Sequence, residues 1–151
     1  MPEQQTVEKL LVPVDFSDPS VTSVKYAARL ARDLSAEVIL LYVVEPMMYP
    51  SGMGEVVDLD YISLENELEE NGRMTLQKFI EEQLSDTKNP RYVIRKGNAH
   101  KEIVNAADDE GCSMVIIATH GYSGFKHLML GSVAEKVVRT SSVPVLTLPH
   151  K

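Results

Sequence analysis

A chain of 151 residues, 44% hydrophobic and 25% charged, is sized for one folded domain with a core of its own. Twenty-two acidic against fifteen basic residues give a net charge of −7, which argues against non-specific binding to nucleic acid, whose phosphates attract basic surfaces. The one cysteine, Cys112, excludes an intramolecular disulfide, and no apolar run approaches the roughly 20 residues of a membrane span.

Residues 1–6 read as a loose, polar tail without a signal-peptide pattern, so the expectation is a soluble, cytoplasmic protein with neither nucleic acid nor membrane as partner. Leu10–Phe16 reads as a buried strand, with Pro13 tolerable near its end. Asp18 is placed to cap the following helix, with Pro19 at its first position. Val21, Val24, Ala27, Ala28, Ala31 and Leu34 then form one apolar face. Glu37–Val44 is continuously apolar, the pattern of a strand buried on both faces of a parallel sheet.

Residues 45–60 form an irregular loop, broken by Pro46, Pro50, Gly52 and Gly54 and softened by Met47, Met48, Tyr49 and Met53. It reads as a mobile connection, with a lid or partner contact as the alternative. A long helix is predicted over Tyr61–Leu84, with Leu64, Leu68, Leu76, Phe79 and Ile80 facing inward. Gly72 near its middle costs about 1 kcal/mol relative to alanine and marks a kink or weak spot. Arg91–Arg95 alternates as a half-exposed edge strand. A short helix follows over His100–Glu110, with Ile103, Val104 and Ala107 inside and Gly111 ending it.

Ser113–Thr119 is the next strand, a helix runs from Val133 to Arg139, and Val143–Pro149 is the last strand. The order is that of a doubly wound α/β fold. Ligands in such sheets bind beyond the carboxyl ends of the strands, where the winding reverses. That rule brings Asp15, Val43 and the Ala118–Gly121 corner to one rim.

The stretch from Ile116 to Ser132 organises the chain. An apolar strand stops at a glycine-containing loop, and Ser132-x-x-Glu135 has the spacing of a capping box opening a helix. Strand, glycine loop and helix N-terminus make an anion site, because the first-turn N–H groups and the helix dipole favour a phosphate. Neither the Gly-Lys-Ser/Thr ending of a Walker loop nor G-x-G-x-x-G is present. The plainer reading is a strand–helix connection with Ser132 as a simple cap.

The stretch resembles the universal stress protein family, whose nucleotide-binding members carry G-x2-G-x9-G-(S/T) here. Gly121 aligns with the second glycine and Gly131–Ser132 closes the motif, while Ala118 replaces the first glycine and adds one methyl at the approach to a ligand. Val12–Ser17 and Val143–Val145 extend the resemblance over nearly the whole chain. It implies one Rossmann-like domain over 1–151, with a five-stranded parallel sheet in the order 3-2-1-4-5 and helices on both faces. It also implies a stress-response protein that binds an adenine nucleotide, ATP with or without Mg2+, and acts as a regulatory or interaction module. A homodimer through the C-terminal strand 143–149 belongs to the same expectation.

On that resemblance, Pro13, Val14 and Val43 flank the adenine, and Asp15 accepts a hydrogen bond from its amino group. Ile117 and Ala118 form the strand end, and Gly121, Gly131, Ser132, Val133 and Ala134 meet the phosphates. Asp15 has a plainer role holding turn amides, and Lys126, His127 and His120 read as loop residues without chemistry. Hydrolysis needs a base, a metal-binding carboxylate and a charge stabiliser in concert. With Asp15 committed to the base and Glu135 to the cap, no catalytic residue is assigned and at most slow turnover is expected. A dimeric module that binds no ATP, and a slow ATPase, are the alternatives.

Overall fold

The computed structural model describes residues 6–47, 55–120 and 130–149, with residues 55–59 described by their backbone. The elements run β1 (Lys9–Pro13), α1 (Asp18–Leu34), β2 (Glu37–Val44), α2 (Glu55–Gln83), β3 (Lys88–Lys96), α3 (Ala99–Asp109), β4 (Met114–Ala118), α4 (Ser132–Thr140) and β5 (Val145–Leu148). The five strands form one sheet in the order β3-β2-β1-β4-β5, with every neighbouring pair parallel, as expected.

Side chains alternate across the pleat, so each central strand feeds two apolar layers. Leu10, Val12, Val38, Leu40 and Ile116 pack with Val24, Ala27, Ala28 and Ala31 of α1 and Leu76 of α2. Leu11, Ile39, Leu41, Val115 and Ile117 pack on the other face with Ile103, Ala106 and Ala107 of α3 and Ala134 and Val137 of α4. Continuous hydrophobicity in β1, β2 and β4 is the consequence of covering both faces. Cys112 sits in the second layer, where burial first and Glu110 second push its thiol up to about 11, leaving it protonated and inert at neutral pH.

Several boundaries move by a residue or more. Ser17, not Asp18, caps α1: its Oγ accepts from the Ser20 N–H at 3.4 Å, and Asp18 becomes an acidic first-turn residue favoured by the helix dipole. Leu34 is exposed rather than inward, and Ser20 and Ser23 are buried beside Val24 instead. The last six residues assigned to the irregular loop, 55–60, are helical, since every proline and glycine of that segment lies at or before Gly54. β3 extends back through Pro90, which an edge strand tolerates because one row of its backbone groups needs no partner.

Within α2 the first expected core position, Leu64, is exposed, and full burial begins only at Gly72 and Leu76. Gly72 produces no break: α2 is assigned as one helix from Glu55 to Gln83. A Cβ at Gly72 would lie 2.5 Å from both Cδ1 and Cε1 of Tyr42, so the glycine exists to let the β2 ring lie against the helix backbone. Tyr42 in turn packs on Phe16, centroid to centroid 4.7 Å, and Phe16 meets Phe79 edge-on at 6.0 Å.

Gly72→Ala therefore sets a helix-propensity gain of about 1 kcal/mol against overpacking of the Tyr42 ring, which costs about 1–3 kcal/mol, so a net destabilisation of up to about 2 kcal/mol is expected. Urea unfolding measures the difference. Combining the substitution with Tyr42→Ala should restore the propensity gain relative to Tyr42→Ala alone.

Candidate functional site

The winding reverses between β1 and β4, and there the carboxyl ends of the strands enclose a cavity of about 350 Å3. That volume lies within the range of small-molecule pockets, roughly 300–1,000 Å3. Pro13, Val14 and Asp15 come from the end of β1, Leu41, Val43 and Glu45 from β2 and its extension, and Ile117, Ala118, Thr119 and His120 from the end of β4. Gly131, Ser132, Val133 and Ala134 close one side as the start of α4, with Ala99 and Ile103 of α3 and Ser20 of α1 completing the wall. Ten of the eleven residues assigned to ligand binding from the sequence thus line one cavity; Gly121 lies outside the described residues, as do Gly124, Lys126 and His127.

The start of α4 differs from the expected capping box. Gly131 is the cap, no side chain bonds to the first turn, and Ser132 is already the first helical residue. Its hydroxyl is one position too late to serve as the cap. Glu135 does not fold back either; its carboxylate pairs with Arg139 at 2.8 Å along the helix, so the capping box does not commit it. Gly131 donates its N–H to the Thr119 carbonyl at 2.6 Å, and Glu135 donates to the Gly131 carbonyl at 2.9 Å. Among the described residues, no acceptor meets the N–H groups of Ser132, Val133 or Ala134. Three first-turn donors at a helix N-terminus, pointing into a cavity, are an anion site in waiting.

The opposite wall is acidic. Asp15 Oδ1 accepts from the Ser17 N–H at 3.0 Å and from the Ser17 hydroxyl, which is the plainer turn-holding role. Its second oxygen has no partner among the described residues, so the carboxylate retains an acceptor. Ser17 thereby serves twice, orienting Asp15 and capping α1. Phe16 between them adopts φ +65°, held there by its packing on Tyr42 and Phe79.

The sequence profile of the universal stress protein family matches residues 6–149. The chain belongs to the universal stress protein family. Universal stress protein MJ0577 of Methanocaldococcus jannaschii is 30% identical over 156 residues, covering 95% of this chain and 96% of that protein. A solved structure of MJ0577 superposes with a TM-score of 0.83, covering 97% of this chain and 98% of the other. A universal stress protein in complex with cAMP (20% identical, TM-score 0.66, 95% and 97% covered) shares the fold. So does one from Archaeoglobus fulgidus in complex with dAMP (18% identical, TM-score 0.62, 94% and 98% covered).

Within this family fold, Ala118 ends β4 paired with Leu148, and the cavity keeps its 350 Å3 with the extra methyl in place. Sequence reasoning missed Ser20, Leu41, Glu45, Ala99, Ile103 and Thr119. Glu45 stood in the segment taken as irregular, Ala99 just before the predicted helix, and the others in helices and strands read only as such. One signal was available for Glu45: an acid immediately after a buried strand, at the rim where ligands bind. His120 does line the cavity, and among the described residues no carboxylate is hydrogen-bonded to it.

Ser17→Ala removes the α1 cap and both its own hydroxyl contacts. The expected loss is about 1 kcal/mol of stability, read by urea denaturation. Ser17→Thr, which keeps the hydroxyl, should recover most of it.

Proposed function

We propose that the cavity binds an adenine nucleotide, with ATP as the ligand, and that the protein acts as a nucleotide-dependent regulatory or interaction module. One observation carries this reading: a single cavity brings three N–H groups of α4 that meet no acceptor among the described residues together with the acceptor-only carboxylate of Asp15. A nucleotide has the complementary polarity, anionic at its phosphates and hydrogen-donating at the adenine amino group. Guanine presents a carbonyl where adenine has that amino group, so Asp15 selects adenine. Pro13, Val14, Val43 and Ile117 give the base apolar walls, and Gly131 lets the backbone come close to the phosphates. The cAMP and dAMP complexes of two proteins of the same fold support an adenine ligand in this family.

Among the described residues no group of three or more His, Cys, Asp and Glu could hold a metal ion, so Mg2+ enters as a companion of the phosphates. The carboxylates of Asp15 and Glu45 stand on the wall facing the adenosine half. This favours binding with at most slow hydrolysis.

A second reading concerns assembly. β5 is an edge strand whose residues are all half-buried, and Val133 and Val138 of the adjoining α4 are exposed. An uncovered apolar edge is stabilised by pairing, and a second copy across residues 143–149 gives an isologous, two-fold dimer.

Calorimetric titration tests the site. The wild type should bind ATP and not GTP, and Gly131→Val should weaken ATP at least about tenfold, because a Cβ there meets the Thr119 carbonyl at 2.6 Å and displaces the amides. Absence of binding at millimolar ATP would leave the assembly reading alone. For the dimer, Leu146→Glu should shift the sedimentation of the wild type to that of a monomer.

A further inference from the structure

We infer that Glu45 reads the ribose, making the site selective for a free 2′,3′-diol. The inference rests on the adenine-nucleotide reading above and adds a residue and a specificity to it. Leu41, Val43 and Glu45 recur at every second position along β2 and its extension, so all three face the cavity from the α3 and α4 side of the sheet. The first two are apolar and suit the base. The third, one residue beyond the strand, brings a carboxylate to the same wall.

That carboxylate is exposed at the mouth of the cavity but tethered at one oxygen. Its Oε1 accepts from the N–H of Ala99, the first residue of α3, at 3.0 Å. The strand end is held by Gly97, which donates to the Val44 carbonyl at 3.1 Å, and Asn98 caps α3 by accepting from Lys101 at 3.4 Å. Oε2 has no partner among the described residues.

The second oxygen of a carboxylate tethered at the cavity mouth is an acceptor that a ligand's donor can meet in place of water. Of the parts of an adenine nucleotide, the phosphates are repelled and the amino group of the base is met by Asp15. The ribose hydroxyls are the remaining donors. Doubly wound dinucleotide-binding folds solve the same problem with an acid at the ribose 2′-hydroxyl. Loss of both hydroxyls leaves Oε2 unmet, a 3′,5′-cyclic phosphate removes the 3′ donor, and a 2′-phosphate places like charges together.

The test is a calorimetric cycle with ATP and 2′,3′-dideoxy-ATP on wild type, Glu45→Ala and Glu45→Gln. Wild type should prefer ATP by about tenfold or more. Glu45→Ala should weaken ATP to the level of the dideoxy analogue while leaving the analogue's own affinity unchanged. Glu45→Gln keeps an oxygen for Ala99, guards against a folding artefact, and should lose most of the preference. Equal wild-type affinity for both ligands, or a preference that survives in Glu45→Ala, overturns the ribose role and leaves the adenine reading standing. Failure of wild type to bind ATP at all overturns both.

Discussion

The site depends on one close approach. The Gly131 N–H meets the Thr119 carbonyl at 2.6 Å, and a Cβ on Gly131 would lie as near to that oxygen. Only glycine allows the first turn of α4 to come so close to the end of β4. Ala134 and Val137 then bury into the layer that holds Val115 and Ile117, so packing fixes the helix where the glycine admits it. Because the cap is a glycine without a side chain to spend on the helix, the amides behind it meet no acceptor among the described residues, and their residues line the cavity. The same small residue sets the helix position and leaves its positive end uncovered.

Sheet topology supplies the other half. With β1 and β4 adjacent and their following helices on opposite faces, a crevice opens between the ends of these strands. Asp15 follows β1 and Glu45 follows β2, so the acids stand together, while the α4 amides stand beyond β4. The cavity is polarised by backbone connectivity alone. A net charge of −7 is compatible with the proposed anion site, because N–H groups at short range outweigh a distant and screened field.

Strand positions were legible in the sequence because burial on both faces leaves no room for polar residues in β1, β2 and β4. The strand order came from family resemblance and not from periodicity, which fixes elements but not their neighbours. Caps were misread by one residue at both α1 and α4. A cap is defined by backbone dihedrals, and Ser17 at ψ 158° and Gly131 at ψ 154° are extended where neighbouring polar residues looked equally suitable. Gly72 looked like a flaw because its reason, the Tyr42 ring, arrives from a strand some thirty residues away in sequence, at positions 42 and 72. Glu45 was hidden for the same kind of reason: its partner Ala99 is 54 residues distant and reaches it only once β2 and β3 have paired.

The two walls of the cavity are braced by different parts of the molecule. Asp15 stands next to Phe16, whose ring is held by Tyr42 and Phe79, so the loop after β1 is tied to β2 and α2 on the sheet face opposite α4. Thr119 holds Gly131 through its carbonyl and holds β5 through its N–H and hydroxyl, which both donate to Leu148, at 3.0 and 3.2 Å. One residue therefore belongs at once to the wall proposed to receive phosphates and to the ladder of the edge strand. A displacement of the α4 amides against a ligand has to be absorbed at Thr119, and the next atoms in that line are those of β5. A binding module whose occupancy is to be read at its edge needs that contiguity, and here it is a single residue long.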